Sequence, residues 1–334
     1  FLANAANSAV LLNADPPEHR RQRKAVNRAF RPTRLRGMEP MIHEVADNLL
    51  EPIKQKQQME FVGEFAVWLP MTIIAYALGV GTSDLNKFKK WSDDLVMPVG
   101  NPDPNVEKVR DYLISLKDFN EFFGDLLRQR RESPEEDIIS DVATAEVNDQ
   151  MLNQAEMLSM LQQFLVAGNE TTTKLLTNLM YRLAVDDNLE NLLRDNPKLI
   201  DNFIEEGLRF EAPVGGLFRS AKCDTEVNGV KIKAGEHIWV IFAAANRDPE
   251  VFPDPDNFSV DRENARDHIA FGHGEHYCIG ALLARSEAKI AIERLLEAVE
   301  EIELDATKNT FEYEDSFVLR GLKELHVTYR PRSK

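Results

Sequence analysis

The stretch that most constrains this chain is NDQMLNQAEMLSMLQQFLVAGNETTTKLLTNLMYRLAVDD, which begins at Asn148. Its apolar residues wrap most of a helical circumference instead of forming one stripe, the pattern of a helix buried on nearly every side. A helix of about 35 residues spans roughly 50 Å, so the rest of the molecule must be built around it. Asp149 is the expected N-cap. Midway along, AGNETTT sets Gly168 beside a run of threonines. Such residues weaken or widen a helix and make room next to it for a small ligand and water.

Helical patterns precede this element. A basic helix in DPPEHRRQRKAVNRAFRP ends before Pro32, and further helices cover about residues 37–56, 83–97 and 105–131. FAVWLPMTIIAYALGVG, from Phe65, is apolar but interrupted by Pro70 and too short for a membrane span, so it reads as a buried helix. After Pro197 another helix carries NFIEEGLRF. From Gly216 the texture changes to β-branched and polar alternation around NG and AG turns, which predicts short antiparallel strands. A final ribbon is expected in FEYEDSFVLRGLKELHVTYRP. The fold class is mainly α with a small β region, in a single domain over residues 1–334.

Charge narrows the function. Lys and Arg number 40 against 56 Asp and Glu, a net charge of −16, which argues against nucleic acid as the main partner. The two cysteines, Cys223 and Cys278, cannot build a disulfide framework. No signal peptide or membrane anchor is visible. Cys278 is the cysteine with a context, in FGHGEHYCIGALLARSEAKIAIERLLEAVEE from Phe271. A glycine-rich loop runs there into a helix, whose N-terminal N–H groups favour a thiolate. Gly272, Gly274 and Gly280 permit tight turns and a close approach to a flat ligand. A buried inert cysteine and a zinc site using His273 and His276 are the alternatives, although zinc lacks a well-spaced fourth ligand.

Phe271, Gly274, His276, Cys278 and Gly280 fit F-x-x-G-x-[HR]-x-C-x-G, the signature of the cytochrome P-450 family of haem-thiolate monooxygenases, which the chain resembles in order from Asp15 to Pro331. The resemblance implies haem b between the long central helix and the cysteine-loop helix, with Cys278 as axial iron ligand. Phe271 then packs near the sulfur and His276 hydrogen-bonds a propionate. His19, Arg23 and Arg219 match further propionate-binding positions. Gly168, Glu170 and Thr171 match the family's acid–threonine stretch, in which Thr171 hydrogen-bonds dioxygen and Glu170 relays protons. Glu206 and Arg209 match an E-x-x-R pair joined by Arg262, a structural lock on the haem core. Substrate contacts are expected from Met97, Val99, Leu165, Ala167, Val214, Gly215, Leu217 and Phe317, mostly apolar, hence an apolar substrate.

The implied reaction takes substrate, O2, two electrons and two protons to hydroxylated product and water. With no flavin or iron–sulfur part, electrons must come from a ferredoxin or flavodoxin with its reductase. Arg20, Arg21 and Lys24 lie off the His19–Arg23 stripe and suit docking of an acidic carrier. RQRR, residues 128–131, reads as a solvated helix end. The expected setting is the cytoplasm of a bacterium. Relatives carry an upstream segment, so a competent form is expected to have additional N-terminal sequence. A non-catalytic thiolate-haem sensor or storage protein is the alternative function; it would need the cysteine loop but not Glu170 and Thr171.

Overall fold

A computed structural model describes residues 9–101, 104–147 and 150–332. The helices are α1 (Glu18–Val26), α2 (Pro32–Leu50), α3 (Trp68–Leu78), α4 (Leu85–Val96), α5 (Val106–Glu132), α6 (Ile138–Ala143), α7 (Gln154–Val185), α8 (Leu189–Asp195), α9 (Ile200–Phe210), α10 (Phe242–Ala245) and α11 (Ala281–Ala298). The strands are β1 (Gln58–Glu60), β2 (Glu146–Val147), β3 (Gln150–Met151), β4 (Leu217–Ser220), β5 (Thr225–Val227), β6 (Val230–Ile232), β7 (His237–Val240), β8 (Val299–Leu304) and β9 (His326–Pro331).

The central helix is α7. Asp149 lies outside the described residues, and the cap is Asn153, whose side chain accepts from the Glu156 N–H while Glu156 accepts from the Asn153 N–H. This reciprocal pair satisfies two of the helix's free donors. Along α7, Leu175, Leu176, Leu179, Met180 and Leu183 are buried, each contributing about 1.5–3 kcal/mol of transfer free energy. Helices α3, α4, α5, α9 and α11 all pack on α7. Between α4 and α5, Phe88, Trp91, Phe119 and Phe123 form an aromatic cluster, with Phe119 and Phe123 rings 4.4 Å apart.

α1 ends at Val26, before Pro32 as expected, while two other elements differ from the sequence expectation. α2 begins at Pro32 itself, since proline at the first helical position gives up a donor that would be free anyway, and it ends at Leu50. β8 follows α11 directly and was not anticipated; with β9 and β1 it forms a sheet of order β1-β9-β8. The NG turn joins β5 to β6, with Asn228 and Gly229 both at positive φ. β4 pairs antiparallel with β7, Arg219 opposite Ile238.

Candidate active site

α11 starts at the end of the cysteine loop and packs across α7. The loop is shaped by Gly272 and Gly274, both near φ +73°, a conformation that side chains other than glycine rarely adopt. The Cys278 N–H donates to the Phe271 carbonyl at 2.9 Å, closing the loop on itself. Cys278 is exposed, yet burial among surrounding atoms pushes its thiol up. Both hold when a sulfur faces open space inside the molecule. The backbone N–H groups of Gly280 and Ala281 and the guanidiniums of Arg23 and Arg285 pull the other way, but burial wins. The helix N-terminus alone therefore does not make a thiolate; a metal cation against the sulfur would.

A second opening lies on α7. Ala167 is exposed in the middle of a buried helix, and Thr171, one turn on and on the same face, is partly exposed. The Thr171 hydroxyl donates to the Ala167 carbonyl at 2.8 Å. The helix stays α through AGNETTT, so the expected widening is absent. Gly168 instead lets α3 come close: a Cβ there would stand 3.1 Å from Ile74. Glu170 accepts from Lys174 Nζ at 3.1 Å, and from Ser92 Oγ and Asn169 Nδ2 at 3.2 Å each.

Near the loop four basic groups gather. The His19 and His276 rings lie 4.0 Å apart. Burial first, then Arg23, lowers the His19 pKa; burial, then His19 and Arg219, lowers that of His276. Arg23 donates to the Tyr277 carbonyl at 2.8 Å and Arg219 to the Phe218 carbonyl at 2.9 Å. Among the described residues neither guanidinium has a carboxylate within salt-bridge distance. His19 Nδ1 is buried with no hydrogen-bond partner. Uncompensated cations and an orphaned imidazole nitrogen suit an anionic ligand. Together with a sulfur facing open space, this donor set fits haem b, with carboxylates at one edge and iron at its centre.

The E-x-x-R pair is fully buried. Arg209 grips Glu206 with two bonds of 2.7 and 2.8 Å. Arg262 Nε donates to both Glu206 oxygens at 3.1 Å, and the Ser259 N–H adds a bond of 3.0 Å. The remaining guanidinium donors reach backbone carbonyls, including Asn246, Pro253 and Asn257. The triad therefore pins the coil before the cysteine loop onto α9.

Three segments expected around a substrate meet. Ser316 Oγ donates to the Val99 carbonyl at 2.9 Å, and the Gly215 N–H to Val318 at 2.7 Å. Val214 bridges to Leu319. Met97, Val99, Val214, Gly215 and Leu217 are partly exposed and Phe317 is exposed. Leu165 is a correction: it is 0% exposed in the core, because two residues on from it, about 200° round the helix, lies Ala167.

Other charged residues also differ from expectation. Arg21, expected on a docking face, turns inward at 13% exposure and bridges Glu18 and Glu156. Arg130, expected to be solvated, is 12% exposed and binds Asp137 Oδ2 at 2.6 Å. Sequence reasoning missed Glu205, Arg285 and His268. Arg285 holds Glu205 with bonds of 2.8 and 2.9 Å, and His268 Nε2 lies 3.0 Å from the same carboxylate. The only sequence signal was the doubled glutamate of EEGLR. The zinc alternative finds no ligand set: among the described residues no three His, Cys, Asp or Glu side chains are placed to hold a metal.

The family model for cytochrome P-450 matches residues 2–326. A cytochrome P-450 of Bacillus subtilis is 38% identical over 320 residues, covering 96% of this chain and 77% of the relative. Vitamin D(3) 25-hydroxylase of Pseudonocardia autotrophica is 35% identical over 333 residues, covering 98% of this chain and 80% of its own. The structure of CYP109E1 from Bacillus megaterium in complex with testosterone superposes with a TM-score of 0.88 at 34% identity, covering 96% and 86%. A mainly helical enzyme with a haem cofactor is the class these findings define. The chain belongs to the cytochrome P-450 family, whose members are haem b monooxygenases. Among the described residues no helix is long and apolar enough to cross a membrane.

Proposed function

We propose that this protein hydroxylates an apolar, steroid-sized substrate, using Cys278 as the haem ligand and electrons from a separate ferredoxin or flavodoxin with its reductase, in the cytoplasm. The observation that carries the reading is an exposed cysteine sulfur amid dense protein, with an anion-receptive cluster of His19, Arg23, Arg219 and His276 beside it. When bound, haem b supplies the redox chemistry that splits dioxygen and passes one oxygen atom to the substrate.

The chain's own residues do the rest. His19, Arg23, Arg219 and His276 would hold the two carboxylates, and Phe271 and Gly280 would shape the sulfur's surroundings. Ala167 leaves open space beside α7, and Thr171 offers a hydroxyl there whose proton already has a resting acceptor 2.8 Å away. Glu170, held by Lys174 and Ser92, is one residue from Thr171 and would relay protons to it. Glu206, Arg209 and Arg262 fix the frame. Met97, Val99, Val214, Gly215, Leu217 and Phe317 contact the substrate. The apolar, steroid-like choice is supported by these side chains and by the vitamin D(3) and testosterone named for two relatives. Of the basic residues on α1, exposed Arg20 and Lys24 remain for partner docking.

Reduced protein with carbon monoxide should show the strongly red-shifted Soret band of thiolate-ligated iron. Cys278→His should abolish that shift. An unshifted band in folded, haem-loaded wild-type protein would sink the reading. Spectral shifts with added steroids would then test the substrate class.

A further inference from the structure

Behind the cysteine loop sits a charge cluster that the proposed mechanism leaves unused. Glu205 on α9 is 3% exposed and receives both arms of the Arg285 fork from α11, 80 residues away in sequence. His268 is fixed as the Nε2–H tautomer, because its Nδ1 accepts from the Ala270 N–H at 3.1 Å; its Nε2 therefore donates to Glu205. Arg266 approaches Glu205 at 3.5 Å from the surface. The Arg285 guanidinium also lies over the Phe271 ring, 4.5 Å from its centroid, and donates to the Tyr277 hydroxyl at 3.3 Å. Phe271 and Tyr277 flank the loop, and the Phe271 carbonyl accepts the Cys278 N–H.

This arrangement does more than brace. Arg285 places a cation against Phe271 and Tyr277, the two aromatic residues that flank the cysteine loop, with Glu205 on α9 as its counter-ion. We infer that Arg285, oriented by Glu205 and His268, is a positioning residue that sets the electron-donor strength of Cys278 and hence the reduction potential of the bound cofactor. The inference rests on Cys278 being the iron ligand. A nearby cation favours the reduced, more negative state, and a nearby carboxylate opposes it.

The two partners therefore predict opposite signs. In haem-loaded protein, Arg285→Met should lower the one-electron midpoint potential and Glu205→Gln should raise it. Each shift should be about tenfold in the reduction equilibrium, or about 59 mV. Arg285→Lys, which keeps the charge, should stay near wild type. Midpoints are read by dye-mediated spectroelectrochemistry, with the carbon monoxide spectrum recorded alongside. Shifts of the same sign, or none, would mean a structural brace and overturn the inference. If Arg285→Met fails to load haem, Glu205→Gln decides alone, and a fall or no change refutes it. A wild-type spectrum without the thiolate band refutes the ligand assignment instead, before any variant is made.

Discussion

Glu205 also gives the molecule a measurable acid sensitivity. Burial alone would raise its pKa, but hydrogen bonds from His268 and Arg285 and the charge of Arg285 win and bring it from 4.5 to about 2. A carboxyl displaced that far contributes about 3 kcal/mol of folding stability. Because the folded-state value is the lower one, the contribution is complete above about pH 4.5. It is lost as the pH falls through that value toward about 2. The perturbation is Glu205→Gln, which keeps the shape and removes the titrating group. Urea unfolding of both haem-loaded proteins, followed by the fluorescence of Trp68, Trp91 and Trp239, is measured from about pH 6 down to about pH 3. Groups remote from Glu205 titrate alike in both proteins and cancel in the difference. The gap in stability between wild type and variant should narrow by roughly 2 kcal/mol over that range. A gap that stays constant with pH would refute the reasoning.

Three further outcomes are expected. Glu206→Ala leaves two buried guanidiniums unpaired and should cost about 3–5 kcal/mol in urea unfolding, where a loss below about 1 kcal/mol would contradict the triad's role. Ala167→Phe should fill the opening beside α7 and abolish steroid-induced spectral shifts while the carbon monoxide band survives. Thr171→Ala should divert electrons from product to peroxide, read as product formed per reductant consumed, and unchanged coupling would remove the role given to that hydroxyl.

Local signals carried most of the fold. Helix spans followed from apolar spacing, and the E-x-x-R pair from two charges three residues apart on one helix; even its third member, Arg262, was reachable from the resemblance. What stayed hidden depended on partners from other elements. A charged residue on a helix face looks solvated until its counter-ion is known, and for Arg21, Arg130 and Arg285 that counter-ion comes from another element. Leu165 failed for another reason: it lies near Ala167 in sequence, but helical rotation turns the two to different faces. β8 escaped because a strand starting in the same breath as a helix ends leaves no turn residues to mark it.

The His19–His276 contact joins α1 to a loop 257 positions later, beside the guanidiniums of Arg23 and Arg219. Among the described residues those two cations lack a carboxylate partner, and the orphaned His19 nitrogen adds an unmet bond. An arriving dianion reverses both costs at once. Under the proposed assignment the cofactor's carboxylates would act as a counter-ion for folding itself, so that loading the haem and seating α1 would become one thermodynamic event.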